Sequence, residues 1–310
     1  MHRQGLAADV AIFALLTLIW GTTWAAIRVT LEAIPPMTGV AVRFLFAGAL
    51  LLALARARGV PLGRSRLERR LWWLNGLTTF AGSYGIVYWG EQTVPSGLAS
   101  VLFATFPLFV GVLAHFALPA ERLTVRRAVA LLVGFAGVAV LFSEDFSRLG
   151  GSGIRWAALV FLLAPLVSAI GSVGLKRWGG GIAPLSLAAV PMLIGGASLA
   201  LLAAAFERDL PVRWLAGPWL ATLYLALAGS ALTFTLYYRL LARRSVVASS
   251  LISFTVPVVA VLVGWLAFRE PFTWRLAAGT GLILGGVGFA LVPPRRAALG
   301  PPAAEPAGAR

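Results

Sequence analysis

The pattern of this chain occurs twice. Residues 10–143 and 155–293 each hold five apolar stretches, and the two sets align at offsets of 147 to 150 positions. At 148, Arg28 meets Lys176, Pro36 meets Pro184 and Gly48 meets Gly196; at 147, Ala81-Gly82-Ser83 meets Ala228-Gly229-Ser230. At 150, Ser100 meets Ser250 and Pro107 meets Pro257, and at 149 Glu121, Thr124, Gly137 and Val138 meet Glu270, Thr273, Gly286 and Val287. Apolar matches arise by chance, so the prolines, glutamates and charges carry the comparison.

The stretches run to about 20 residues, the length a helix needs to cross the hydrocarbon core of a bilayer. They fall at 10–31, 37–57, 71–90, 96–117, 125–143, 155–176, 184–206, 216–238, 246–268 and 274–293. With 59% hydrophobic and 12% charged residues, the expected class is an all-α integral membrane protein of ten transmembrane helices. Connections of roughly 5 to 15 residues are too short for a folded soluble domain. Barrel strands need only about 10 residues of alternating pattern, whereas Val101 to Phe116 is almost unbroken in apolarity. The first stretch is too long for a signal peptide and no small-x-small cleavage site follows it, so it reads as a retained helix. The tail 294–310, rich in Pro, Ala and Gly, is expected to be disordered.

A net charge of +15 suggests a nucleic-acid partner until the basic residues are sorted by loop. With the N-terminus inside, 18 of the 26 lie on the cytoplasmic side, among them Arg56, Arg58, Arg64, Arg66, Arg69 and Arg70. The other side receives seven, and Arg43 alone falls within a span away from its ends. That asymmetry is the signature of topology, and nucleic acid drops out. Both termini are expected in the cytoplasm.

Five is odd, so the second half enters the membrane from the opposite side. Two inverted five-helix repeats are a recurrent architecture of secondary transporters, with the substrate near the midplane between them. The expected domains are 10–143, 155–293 and the tail.

Three motifs then stand out: Ile19-Trp20-Gly21-Thr22-Thr23-Trp24, Pro95-Ser96-Gly97-Leu98-Ala99-Ser100 with Pro107 behind it, and the Glu-x-x-Thr pairs at Glu121/Thr124 and Glu270/Thr273. Together, in this order, they resemble the EamA-type branch of the drug/metabolite transporter superfamily over nearly the whole chain. The resemblance implies a ten-helix carrier of small metabolites, often an exporter of amino acids, in the bacterial inner membrane. The second half departs from the pattern, with Ala164-Pro165 in its first helix and Ser168 where Trp20 stands.

Candidate residues follow from helical spacing. A charge inside a span costs at least about 2.5–3.5 kcal/mol on insertion scales, so Arg43 either serves a ligand or gate or snorkels to the headgroups. Trp20, Trp24 and Arg28 lie on one stripe and Ser168, Ser172 and Lys176 on its counterpart. Arg28 and Lys176 sit at opposite membrane faces, as gates or as interfacial anchors. Phe80, Tyr84, Tyr88 and Glu91 share a face, and the tyrosine hydroxyls need partners within lipid. The fourth helix presents Ser96, Ser100, Phe103 and Pro107 and the ninth, at the aligned places, Val246, Ser250, Ser253 and Pro257, where the two prolines suggest matched hinges. Phe161 completes an aromatic set with Trp20, Trp24, Tyr84, Tyr88, Phe103 and Phe254. Glycines 134–137 and 279–288 read as helix-packing surfaces.

Catalysis finds little support. Cysteine is absent, His2 and His115 have no partners at metal spacing, and no nucleotide loop is present. No cofactor or metal is expected. The chain therefore reads as a carrier exporting amino acids, aromatic or hydrophobic ones included, by alternating access. A multidrug carrier for hydrophobic cations and a non-transporting scaffold or lipid-handling protein are the alternatives. Monomer or homodimer is left open, and so is coupling, for which Glu91 and His115 are the only candidates near the spans.

Overall fold

The computed structural model describes residues 2–141, 143, 152–259 and 274–291. All regular structure among them is helical. In order, α1 is His2–Leu31 and α2 is Pro36–Ala57. The third run, α3, joins Arg66–Asn75, a π-helical segment Gly76–Ser83 and Tyr84–Gly90. Next, α4 comprises Ser96–Phe103 and Phe106–Ala117, and α5 is Val125–Leu141. In the second half, α6 comprises Ser152–Phe161 and Leu163–Trp178, and α7 is Pro184–Phe206. Ala216–Ala226, a π segment Leu227–Leu232 and Thr233–Arg243 make α8. Last come α9, Val246–Val259, and α10, Trp274–Leu291. Glu270, Thr273, the later part of 246–268 and the 294–310 tail lie outside the described residues.

Among the described residues, six helices are long and apolar enough to cross a membrane, and shorter apolar helices accompany them. The surface agrees: Phe116, Leu201, Phe206 and Trp214 are 81, 73, 79 and 81% exposed, a burden that a water-soluble monomer does not carry. Two starts come earlier than expected. The first helix begins at His2 rather than 10, and α3 at Arg66 rather than 71, where Ser65 accepts a hydrogen bond from the Glu68 amide at 3.0 Å. Hydropathy locates the apolar part of a helix and misses the charged turns that precede it.

Contacts at the helix ends set the directions. Asp9, in the opening turns of α1, pairs with Arg243 and Arg244 at the end of α8, and Lys176 at the end of α6 donates to carbonyls there too. The start of α1 and the end of α6 therefore share one end of the molecule, here the near end. Arg28, closing α1, reaches Glu91 at the far end.

Side-chain carboxylates tie the halves together by capping helices across the chain. Glu207, after α7, accepts from the Met37 and Thr38 amides at 2.8 Å each and from the Thr38 hydroxyl at 2.9 Å. Glu121 accepts from the Val246 amide at 2.8 Å, at the start of α9. Each satisfies helix N-terminal amides that lack an intrahelical partner, and its charge complements the positive helix end. The first Glu-x-x-Thr motif is thereby explained: Glu121 caps α9, and Thr124 accepts from the Arg127 amide at 3.3 Å to start α5.

Glycines set the close approaches. A Cβ on Gly137 would lie 2.7 Å from the Ile283 amide nitrogen, and one on Gly286 2.7 Å from that of Gly134. These aligned glycines let α5 and α10 touch backbone to backbone within one chain.

Candidate functional site

A cavity lies between the halves, walled by α1, α3 and α4 from one and by α6, α8 and α9 from the other. Trp20, Thr23, Trp24 and Ile27 come from α1, with Thr79, Tyr84 and Val87 from α3 and Ser100, Phe103 and Phe106 from α4. The second half supplies Ser168 and Ser172 of α6, Phe234, Tyr237 and Tyr238 of α8, and Ser249, Ile252, Ser253 and Val256 of α9. Its volume is about 70 Å³, on a scale where one water needs roughly 10–15 Å³. That suits a small metabolite.

The walls are an aromatic lattice. Trp20 packs against Phe234 and Tyr237 with ring centroids 5.6 Å apart, and Trp24 against Phe103 at 5.7 Å. Phe80 bridges Phe44 and Phe234 at 5.0 and 4.8 Å. Edge-to-face geometry of this kind fixes ring orientations. Two buried polar atoms of lining residues have no partner, the Trp20 indole Nε1 and the Thr79 hydroxyl. Buried polar groups are normally satisfied, and these two are not.

Behind Tyr84 lies Arg43, which is fully buried and does not snorkel. Its Nε donates to the Ser230 hydroxyl at 2.8 Å, one terminal nitrogen to the Gly229 carbonyl at 3.1 Å and the other to the Tyr88 hydroxyl at 3.4 Å. The guanidinium also stacks 4.8 Å from the Tyr84 ring centroid. Gly229 and Ser230 belong to the π segment of α8. In a π turn the i→i−4 ladder is interrupted, which releases the carbonyl that Arg43 takes. Its aligned position, Pro191, does a related thing in reverse: proline cannot donate to the Leu187 carbonyl, which accepts instead from Asn75 Nδ2 at 3.0 Å.

Of the substrate residues expected from sequence, the structure brings Trp20, Trp24, Tyr84, Phe103 and Ser168 to the cavity wall. Arg43 and Tyr88 stand behind it, and Phe161 packs on Trp24 at 6.4 Å. Ser250 donates to the Val247 carbonyl at 2.7 Å, and Phe254 lies against Gly134. The wall of α9 is instead Ser249, Ile252, Ser253 and Val256, one residue around the helix from Ser250 and Phe254; period alone does not fix that rotation. The hinge prolines differ too. The break in α4 falls at Ala104–Thr105, directly before Pro107, whereas α9 turns at Leu251, well ahead of Pro257.

Each end of the molecule carries a tie between the first and third helices of one half. At the far end Arg28 donates to the Glu91 carbonyl at 2.7 Å. At the near end Lys176 donates to the Leu241 and Arg244 carbonyls at 2.9 and 2.6 Å, beside the Asp9 pairs at 3.2 Å with Arg243 and 2.6 Å with Arg244. His115 accepts from the Leu123 amide at 3.2 Å and is remote from the lining.

Comparison with known proteins adds the context. The uncharacterized inner membrane transporter YedA of Escherichia coli (strain K12) is 35% identical over 296 residues, 94% of this chain and 91% of that protein. The uncharacterized transporter YoaV of Bacillus subtilis (strain 168) is 29% identical over 275 residues, 88% and 92% of the two chains. A protein of known crystal structure, 24% identical, superposes with a TM-score of 0.77 over 92% of this chain and 97% of its own, which shows a shared fold. The model of the EamA-like transporter family matches residues 9–143 and again 155–292, and so this membrane protein belongs to the EamA-like transporter family.

Proposed function

We propose that the chain is a secondary carrier that exports amino acids, aromatic and hydrophobic ones included, by alternating access. The observation that carries this reading is a cavity walled by three helices from each half, with a basic residue of the first helix of each half bonded to the end of its third. Its aromatic faces suit an apolar side chain or a cationic group, and its serine, threonine and tyrosine hydroxyls suit the polar ends of an amino acid. Arg43, behind Tyr84, adds a positive potential for a carboxylate.

The architecture of this reading is ten membrane crossings in two inverted five-helix repeats, 10–143 and 155–293. Several features support it. The π segments recur at aligned places in α3 and α8, and α1 and α6 end at opposite ends of the molecule. Helices of like rank in each half wall the cavity. The reading places the near end and both termini in the cytoplasm and the chain in the bacterial inner membrane, in keeping with the printed name of the Escherichia coli relative.

Counterflow tests the substrate directly. Proteoliposomes preloaded with one unlabelled amino acid at a time are given a labelled panel. Saturable, selective uptake of particular amino acids is the expected result. Uptake of hydrophobic cations alone supports the multidrug reading, which the lining disfavours because its described residues contain no carboxylate. Uptake of neither class by folded protein overturns the proposal.

A further inference from the structure

The far-end tie holds a second group that transport as described above does not use. Glu91 is completely buried, and neither oxygen of its carboxyl group has a hydrogen-bond partner. Its backbone carbonyl, by contrast, is the acceptor for Arg28. At the offset of 150 that aligns Tyr88 with Tyr238 and Ser100 with Ser250, the counterpart of Glu91 is Leu241. The Leu241 carbonyl accepts from Lys176, itself the counterpart of Arg28. The two halves thus build the same tie, a basic residue of the first helix on the carbonyl end of the third. Only the far one carries a carboxyl group at its acceptor residue.

An ionised carboxylate without donors, out of water, costs several kcal/mol. The charges that act on this one come from two of the elements packed around it. Arg28 lies on α1 and Arg43 on α2, and both act on Glu91 electrostatically without a contact as short as an ion pair. Tyr84 and Tyr88 share its own helix. Arg155 of α6 and Glu32 beyond α1 are exposed, and Ser96–Phe103 of α4 holds nothing titratable.

We propose that the Glu91 carboxyl group is a proton-binding site that latches the far mouth. In the closed arrangement it holds its proton, O–H intact. When Arg28 leaves the Glu91 carbonyl and water enters, the O–H bond breaks and the proton passes to that water. The carboxylate left behind then pairs with the Arg28 or Arg43 guanidinium. The closed form binds one more proton than the open one, so acid favours closure. The closed-to-open ratio falls by up to about tenfold per pH unit as pH rises between the proton affinities of the two forms. The latch rests on alternating access at this mouth and not on which molecule is carried.

The test needs no substrate. The chain has no cysteine, so spin labels on Glu32→Cys and Thr93→Cys, both exposed at the far end, report the distance across the mouth in lipid nanodiscs. We expect one short distance at pH 5.5 and a growing longer population by pH 8.5. Glu91→Gln, which mimics the acid, is expected to stay short throughout, and Glu91→Asp to respond with a shifted midpoint. Should the glutamine variant not fold, Glu91→Leu, the residue the other half uses, is expected to be equally unresponsive. A distance independent of pH in the parent, or the same pH response in the glutamine or leucine variant, overturns the latch. Failure of the amino-acid counterflow with this response intact removes the substrate and leaves the latch.

Discussion

Lys176 closes the end of α8 by donating to the Leu241 carbonyl at 2.9 Å, the mirror of Arg28 on the Glu91 carbonyl at 2.7 Å. A cation at the carbonyl end of a helix gains from unpaired acceptors and from the helix dipole together. In each half the bond ties the first helix to the third, and under the proposed alternating access only one of these ties needs to break for the cavity to open on one side.

Removing either cation should unlatch its own end. Charge-assisted hydrogen bonds contribute about 1.5–3 kcal/mol each, so Lys176→Met is expected to favour near-end opening and Arg28→Met far-end opening. Single cysteines at Ser172 and Val87, both on the cavity wall, report this by reaction with an impermeant maleimide. Faster labelling of Ser172→Cys in the Lys176 variant and of Val87→Cys in the Arg28 variant is the expected pattern. The same pattern in both variants would show that the two bonds do not act separately.

Arg43 should tolerate no replacement. A lysine has no planar fork to serve Ser230 and Gly229 at once, and each buried acceptor left unpaired costs about 1–3 kcal/mol. Arg43→Lys and Arg43→Leu are both expected to lower the thermal midpoint and to cut counterflow at least tenfold. A lysine variant with parental melting and flux would mean that the fork geometry is idle.

The free indole donor of Trp20 can be removed while the aromatic packing stays. Trp20→Phe is expected to weaken substrate affinity by about fivefold to tenfold, the value of roughly one hydrogen bond, with little change in melting. Tyr84→Ala should lose flux altogether while the protein remains folded. Unchanged affinity in both variants would remove the cavity as the binding site.

The cross-chain caps make an opposite prediction. Glu207→Ala leaves the Met37 and Thr38 amides unpaired and is expected to cost about 1–2 kcal/mol of stability, as is Glu121→Ala through Val246. Substrate affinity should stay at the parental value, since neither residue lines the cavity. Loss of affinity without loss of stability would contradict a purely structural role for these carboxylates.

How far the sequence reaches is clear from particular residues. The duplicated apolar pattern locates the helices, because length and hydropathy are properties of the chain alone. Arg28, Lys176 and the Trp20–Trp24 stripe are also legible, since a charge or tryptophan at fixed spacing has few places to go in a bilayer. The face of α9 is not, because Ser249 and Ser250 differ only in a rotation of about 100° that packing against neighbours decides. The grip of Arg43 on Ser230 is equally invisible. It joins positions 187 residues apart, and the neighbouring Gly229 carbonyl it also uses lies in the π turn of α8. Glu121 shows the middle case: its motif is plain in the sequence, but its partner Val246 is known only once the chain has folded.

Among the described residues, none of the cavity lining comes from α2, α5, α7 or α10. The glycine seam that locks α5 to α10 tolerates no added side chain, yet it never meets the cavity. A lineage of such proteins can thus change its taste in small molecules by swapping wall residues while its frame stays fixed. A designer can do the same, treating four helices as chassis and six as interchangeable fittings.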